Sequence, residues 1–306
     1  MDVTDIGIIG ASTRGRGLAK AASLKGVNVN LVELNRNTLD EGLKKIEEEM
    51  DLLIQKWGLT NSEKKAAMAR IKGVTSLDEI DKNCQMVVVT VREDLDLNKD
   101  IFSRLDNIMN KDTVLATHSA ILSVTEIANA TNRPDKVAGI IFLPPVVRVK
   151  LGEVIRGLKT SQETFDTIHN FVKRKLGKTP VEVSESPGYV TIRMLVSMLN
   201  EAMFIAMEGV ASIKDIDESM KLGYDMKRGP FEIADRVGLD MVLVWMNHMC
   251  KEVGSRFAYP CPLIVKLVRA GYLGRKSGQG FYQYDENGKI SGLGAFSKLT
   301  KWSYET

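Results

Sequence analysis

Ile6-Gly7-Ile8-Ile9-Gly10-Ala11-Ser12-Thr13-Arg14-Gly15-Arg16-Gly17 is the stretch on which the fold turns. A short apolar run, Ile6 to Ile9, leads straight into a glycine turn. Leu18, Ala19, Ala22 and Leu24 then suit a buried helix face, and Val27, Val29 and Leu31 alternate as a strand closed by Val32-Glu33. Strand, glycine turn, helix, strand is the opening βαβ unit of a dinucleotide-type fold. In such a turn the first glycine makes the bend and the second lets a pyrophosphate approach the backbone. The third lets the helix pack closely on the strand. Here the spacing is Gly10-x-Ser12-x-x-Gly15, so a serine replaces the middle glycine. Its hydroxyl would either donate to a phosphate or obstruct it. Arg14 is also unusual, a long cation in a turn that ordinarily carries small or apolar residues. It would contact a phosphate or fill the pocket. Glu33, 23 positions after Gly10, suits the adenosine ribose hydroxyls and would repel a 2′-phosphate, which favours NAD over NADP, although Arg36 keeps NADP open. A domain of this shape that has lost its nucleotide is the alternative. A P-loop is excluded, because Arg16-Gly17 stands where Lys and Ser or Thr would be needed.

Outward from this unit the pattern continues. Thr38-Leu39-Asp40-Glu41 and Thr60-Asn61-Ser62-Glu63 have capping-box spacing, so two antiparallel helices joined near Gly58 are expected. Met86 to Val91 reads as a fully buried strand, Asp94 to Met109 as a helix, Thr113 to Ala116 as a strand and Val124 to Thr131 as a helix. Val137 to Leu143 is another buried strand. Thr160-Ser161-Gln162-Glu163 caps a helix running to about Leu176, and Val181 to Val183 is a last strand. After Ser186-Pro187-Gly188 helical periods dominate, broken at Gly209, Gly223, Gly229-Pro230, Gly238 and Gly254, and the tail beyond Asn287 reads as loosely packed. The expected architecture is α/β, a Rossmann-type doubly wound, mostly parallel sheet followed by an all-helical C-terminal domain. The expected domains are 1–185, with a helical hairpin insertion near 38–72, and 186–306.

Composition agrees with two domains, since 306 residues is at the upper end of what one core supports. Lys and Arg number 42 against 39 Asp and Glu, a net charge of +3, which leaves no basic stripe for nucleic acid or for a membrane surface. The three cysteines, Cys84, Cys250 and Cys261, suggest neither a disulfide frame nor a metal site. The longest apolar candidate, Val190 to Met207, is interrupted by Arg193 and Glu201, and Met1-Asp2-Val3-Thr4-Asp5 lacks the basic region of a signal peptide. A cytoplasmic location is expected.

From Ile6 to about Tyr284 the chain resembles the 3-hydroxyacyl-CoA dehydrogenases, including the bacterial 3-hydroxybutyryl-CoA dehydrogenases. The resemblance rests on Val91-Arg92-Glu93-Asp94-Leu95, Arg133-Pro134-Asp135-Lys136-Val137-Ala138-Gly139, Lys150-Leu151-Gly152-Glu153-Val154-Ile155 and Ser186-Pro187-Gly188-Tyr189-Val190. Arg193-Met194-Leu195, Gly229-Pro230-Phe231-Glu232 and Leu273-Gly274-Arg275-Lys276-Ser277-Gly278-Gln279-Gly280-Phe281-Tyr282 carry it further. It implies NAD, an acyl-CoA-type ligand and a dimer formed through the helical domain, or a hetero-oligomer with an active paralogue. It also implies cofactor contacts at Gly10, Ser12, Arg14, Gly15, Glu33, Glu93 and Ser119.

The family's chemistry uses a histidine base, a glutamate that orients it, and a serine and an asparagine that hold the substrate oxygen. The matching positions here are Ile141, Glu153, Ala120 and Ile192, so only the glutamate remains. Isoleucine accepts no proton and alanine donates no hydrogen bond, and losing a general base alone costs about 10²–10⁴ in rate. Little ordinary 3-hydroxyacyl-CoA dehydrogenase activity is expected. Among the three histidines, His118 stands at the carboxyl end of a strand, where sheets of this type bind ligands, and its reference pKa near 6.5 suits proton transfer. His169 and His248 read as surface or packing residues. Glu153 would be a retained acid or base, paired with His118 or Arg148, or a structural carboxylate. The sequence thus leaves three readings open: an oxidoreductase with an altered catalytic set using His118 and Glu153, a non-catalytic partner subunit or CoA-ester binder, and a non-redox acyl-CoA enzyme.

Overall fold

A computed structural model describes residues 2–56, 58–254 and 259–294. The chain divides between Ser186 and Pro187 into two compact units.

The first unit opens with β1 (Asp5–Ile9), α1 (Thr13–Ser23) and β2 (Asn28–Val32). The helices α2 (Arg36–Gln55) and α3 (Asn61–Ala69) are inserted between β2 and β3 (Ile71–Val74), its neighbour in the sheet. Then come β4 (Met86–Val89), α4 (Leu95–Ile108), β5 (Val114–Thr117), α5 (Val124–Ala128), β6 (Val137–Ile141) and β7 (Leu151–Arg156). The unit closes with α6 (Gln162–Asn170) and β8 (Thr179–Ser184). The eight strands lie in the order β3-β2-β1-β4-β5-β6-β7-β8, all neighbours parallel except β6 and β7. Ile6, Ile8, Met86 and Val88 point into one core with Leu18, Leu39, Ile46, Phe165 and Phe171. Val87, Val89 and Leu115 alternate to the other face and are equally buried, as are Phe102 and Leu105 of α4.

Several local expectations change. Thr60 does close a capping box with Glu63, but α2 is capped by Asn35, whose side chain accepts from Thr38 N–H, so Thr38 sits inside the first turn. Ser161, rather than Thr160, caps α6, and Thr160 instead accepts from Gly157 N–H and donates to the Val137 carbonyl. Strand β7 carries a buried glutamate and breaks the apolar pattern of a central strand.

The second unit contains α7 (Thr191–Met207), α8 (Ile213–Gly223), α9 (Pro230–Val237), α10 (Leu239–Val253) and α11 (Pro262–Arg269). It is not wholly helical. β9 (Tyr282–Tyr284) pairs antiparallel with β10 (Ile290–Leu293), so the tail expected to be loose forms a hairpin as far as Leu293. The part of that tail beyond Gly294 lies outside the described residues. Along α7, Met203 is core, whereas Met194 and Met207 are exposed.

Two buried aspartates join this hairpin to the helices. Asp217 accepts from the N–H groups of Phe231 (2.8 Å) and Glu232 (3.1 Å) and from the Tyr282 hydroxyl (2.8 Å). It thereby caps α9, whose own N-cap, Gly229, has no side chain to do so. Asp235 accepts from the N–H groups of Phe281 and Tyr282 (2.9 Å each) and from the Tyr284 hydroxyl (3.0 Å). A Cβ at Gly280 would lie 2.1 Å from Asp235 Oδ1, which accounts for a glycine there. Burial, only partly offset by these hydrogen bonds, pushes both carboxyls up to about 6. Their contribution to stability is complete below pH 3.8 and is lost as the pH rises through about 6.

Candidate functional site

The glycine turn is built by backbone necessity. Gly10 has φ +102°, a left-handed conformation that disfavours any side chain. A Cβ at Gly15 would fall 1.9 Å from the Gly10 carbonyl oxygen and 2.6 Å from Thr90 Oγ1, so α1 sits as close to the sheet as a glycine allows. Thr90, at the end of β4, donates to the carbonyls of Ile9 and Gly10 at 2.9 Å and fixes the turn. Ser12 caps α1: its hydroxyl accepts from Gly15 N–H (3.4 Å) and donates to the Thr90 carbonyl (3.1 Å), so its one proton is already engaged. Glu33 accepts from Ala11 N–H at 3.1 Å.

Arg14 turns toward the ends of β4 and β5. Its Nη1 lies 2.6 Å from Glu93 Oε1 and 3.3 Å from the His118 carbonyl, and its Nη2 donates to the Val91 carbonyl at 3.0 Å. Glu93 also accepts from the Ser119 hydroxyl and from Ala120 N–H. Arg14, Glu93 and Ser119 therefore form one network, 79 and 26 residues apart in sequence, which no local reading could assemble.

The dinucleotide can be tested against this geometry. A bend with positive φ, a third glycine packed beyond the reach of any Cβ, an 11-residue helix starting at the turn and a carboxylate ending β2 together fit the adenosine and pyrophosphate portion. Arg14 and Glu93 lie beyond the ends of β4 and β5.

His118 follows β5 and is buried. Its Nε2 accepts from Phe142 N–H at 3.1 Å, which leaves the proton on Nδ1. Burial, with the Arg14 cation second, pushes its pKa down to about 3. The expectation of an imidazole titrating near 6.5 is corrected: the ring is neutral and its one acceptor nitrogen is occupied. Its contribution to stability is complete above pH 6.5 and is lost as the pH falls toward about 3. Acidification from pH 7.5 to 5 is thus expected to weaken the sheet unit and strengthen the helical unit. Hydrogen exchange read separately over 1–186 and 187–294, corrected for intrinsic rates, checks this, and movement in the same direction in both would refute it.

The register of β6 and β7 sets Ile141 directly opposite Glu153. Opposed residues of an antiparallel pair share a face, so Ile141 and Glu153 are neighbours on one side of the sheet. Both are buried, at 4% and 1% exposure. Ala120 and, in the helical unit, Ile192 are buried as well. Sequence reasoning missed Lys178, a buried lysine whose ammonium donates to the carbonyls of Val146 and Val149 (2.5 Å for Val149) and so holds the 142–150 turn. Burial lowers its pKa, with Lys25 adding to the effect. Among the described residues, no group of His, Cys, Asp or Glu is placed to hold a metal ion, and no helix is long and apolar enough to cross a membrane.

Comparison with known proteins agrees with this architecture. Residues 5–186 match the family model "3-hydroxyacyl-CoA dehydrogenase, NAD binding domain", and residues 188–284 match "3-hydroxyacyl-CoA dehydrogenase, C-terminal domain". The chain is 39% identical over 281 residues to the 3-hydroxybutyryl-CoA dehydrogenase of Clostridioides difficile, covering 92% of this chain and 99% of that one. Among solved structures, it superposes on FadB2 of M. tuberculosis with a TM-score of 0.91 at 30% identity, covering 93% of this chain and all of the other (100%). For the (S)-3-hydroxybutyryl-CoA dehydrogenase PaaH1 of Ralstonia eutropha the TM-score is 0.86 at 38% identity, with 93% and 100% covered. Both halves of the chain match, in family order and at nearly full length, and the chain belongs to the 3-hydroxyacyl-CoA dehydrogenase family of NAD-dependent oxidoreductases.

Proposed function

We propose that this protein is an oxidoreductase of 3-hydroxyacyl-CoA dehydrogenase type with an altered catalytic set. It acts on an acyl-CoA or related β-substituted acid and turns over ordinary 3-hydroxyacyl-CoA esters poorly. The observation that carries this reading is Ile141 facing Glu153 across the β6–β7 pair. The bound nicotinamide supplies the hydride donor or acceptor. Ile141 keeps water from the carboxylate, and Glu153 is the acidic group left at this place to hold or pass a proton. His118 acts as a neutral ring with a donor at Nδ1. Glu33 supports NAD rather than NADP, and the Arg36 guanidinium is engaged by Asp40 at 3.1 Å within α2. The helical unit makes a homodimer with the exposed Met194 and Met207 at its surface, and light scattering of a monomer would count against this.

The test is reduction of acetoacetyl-CoA by NADH, followed at 340 nm. Turnover is expected to be slow and to be lost in Glu153→Gln. Thioester binding with no turnover would favour the second reading, a non-catalytic CoA-ester binder or partner subunit. That reading draws support from the neutral His118 and from the Arg14–Glu93 network.

A further inference from the structure

We infer that the Arg14–Glu93 ion pair selects the redox form of the dinucleotide, favouring the neutral reduced ring over the cationic oxidised one. The inference rests on the dinucleotide reading proposed above. The order β3-β2-β1-β4-β5 places the reversal of winding between β1 and β4, and a dinucleotide lies across the carboxyl ends of the strands at such a point. Glu33, closing β2, marks the adenosine side, and the turn at Gly10 marks the pyrophosphate. The other half must then run toward the ends of β4 and β5, which carry Val91, Glu93, His118 and Ser119. Its nicotinamide ring carries a positive charge when oxidised and none when reduced.

Arg14 reaches this region from α1, and the acceptors of its guanidinium all lie beyond β4 and β5: Glu93, the Val91 carbonyl and the His118 carbonyl. The Glu93 side chain is 3% exposed and that of Arg14 22%, so salt screens the pair weakly. A lone carboxylate at Glu93 would attract the oxidised ring. Arg14 neutralises that attraction and is the more exposed partner of the pair, so an approaching cationic ring meets the guanidinium before the covered carboxylate. The reduced ring feels neither charge, so the discrimination falls on the oxidised form alone. The Ser119 hydroxyl and Ala120 N–H hold the Glu93 carboxylate from its other sides, so its position does not depend on Arg14.

Titration calorimetry of the full chain with NAD⁺ and with NADH tests this, in wild type and in Arg14→Met, Arg14→Lys and Glu93→Gln. Arg14→Met is expected to lower the ratio of Kd for NAD⁺ to Kd for NADH about tenfold, chiefly by tightening NAD⁺. Glu93→Gln should raise the ratio, and Arg14→Lys, which keeps the charge, should leave it near wild type. Circular dichroism confirms that each variant is folded. An unchanged ratio in Arg14→Met and Glu93→Gln, with NADH still bound, overturns the inference and leaves the dinucleotide reading standing. Binding of neither form by any of the four proteins overturns that reading and this inference with it. Binding confined to Arg14→Met also overturns the inference, because Arg14 would then be a plug rather than a selector.

Discussion

Ile141→His combined with Ala120→Ser is expected to raise kcat/KM for 3-hydroxybutyryl-CoA oxidation at least about 10²-fold, the lower end of what a positioned general base supplies. The substitution asks little of the scaffold. The imidazole is no larger than the isoleucine it replaces, and Glu153 already stands opposite in the β6–β7 register to orient it. The carboxylate would also favour the imidazolium, so the restored activity should fall on acidification with an apparent pKa above the ordinary histidine value of about 6.5. Ile141→Gln, which is polar but cannot take the proton, serves as the control and should give no gain. A folded double variant that binds dinucleotide yet gains no activity would mean that substrate does not reach the β6–β7 pair. The altered-set reading would then give way to the non-catalytic one.

Asp235→Ala is expected to destabilise the helical unit by about 4 kcal/mol, a large share of the 5–15 kcal/mol that holds a domain together. The loss comes from what is left behind. The N–H groups of Phe281 and Tyr282 and the hydroxyl of Tyr284 would each lose their acceptor, the first two in buried positions, at about 1–3 kcal/mol per stranded group. Asp235→Asn keeps one acceptor oxygen and should cost about half as much. Chemical denaturation followed by tyrosine and tryptophan fluorescence distinguishes the two, and equal losses in both variants would refute the account. Because the carboxyl pKa is raised to about 6, the penalty of Asp235→Ala should be larger at pH 5 than at pH 7.5.

Much of the first unit was legible because its signals are local. The glycine spacing, the apolar run from Met86 and the Thr60–Glu63 box each declare an element within a few residues. Strand β7 is hidden in the sequence, because Gly152 and the buried Glu153 interrupt its apolar pattern. The site was legible as a set of residue types and illegible as a set of partners. Arg14 reads as a cation in an unusual turn, but its carboxylate lies 79 residues away. His118 reads as an acid–base candidate until burial removes its charge. Asp235 left a clue that went unused: it shares the apolar face of α9 with Phe231 and Ala234, and an acid there needs donors from elsewhere. Gly274 and Gly280, closed against it, are the matching half of that clue.

Lys178 gives the outer edge of the sheet a particular character. A lysine bound to two carbonyls of the 142–150 turn ties that turn to the start of β8 and makes it part of the frame. Recognition along this edge is then a matter of fit to a standing outline. A rigid outline of this kind tolerates changes of chemistry within it, because the walls do not depend on what is bound. The same backbone can therefore carry a histidine or an isoleucine at residue 141 without moving the strands on either side of it.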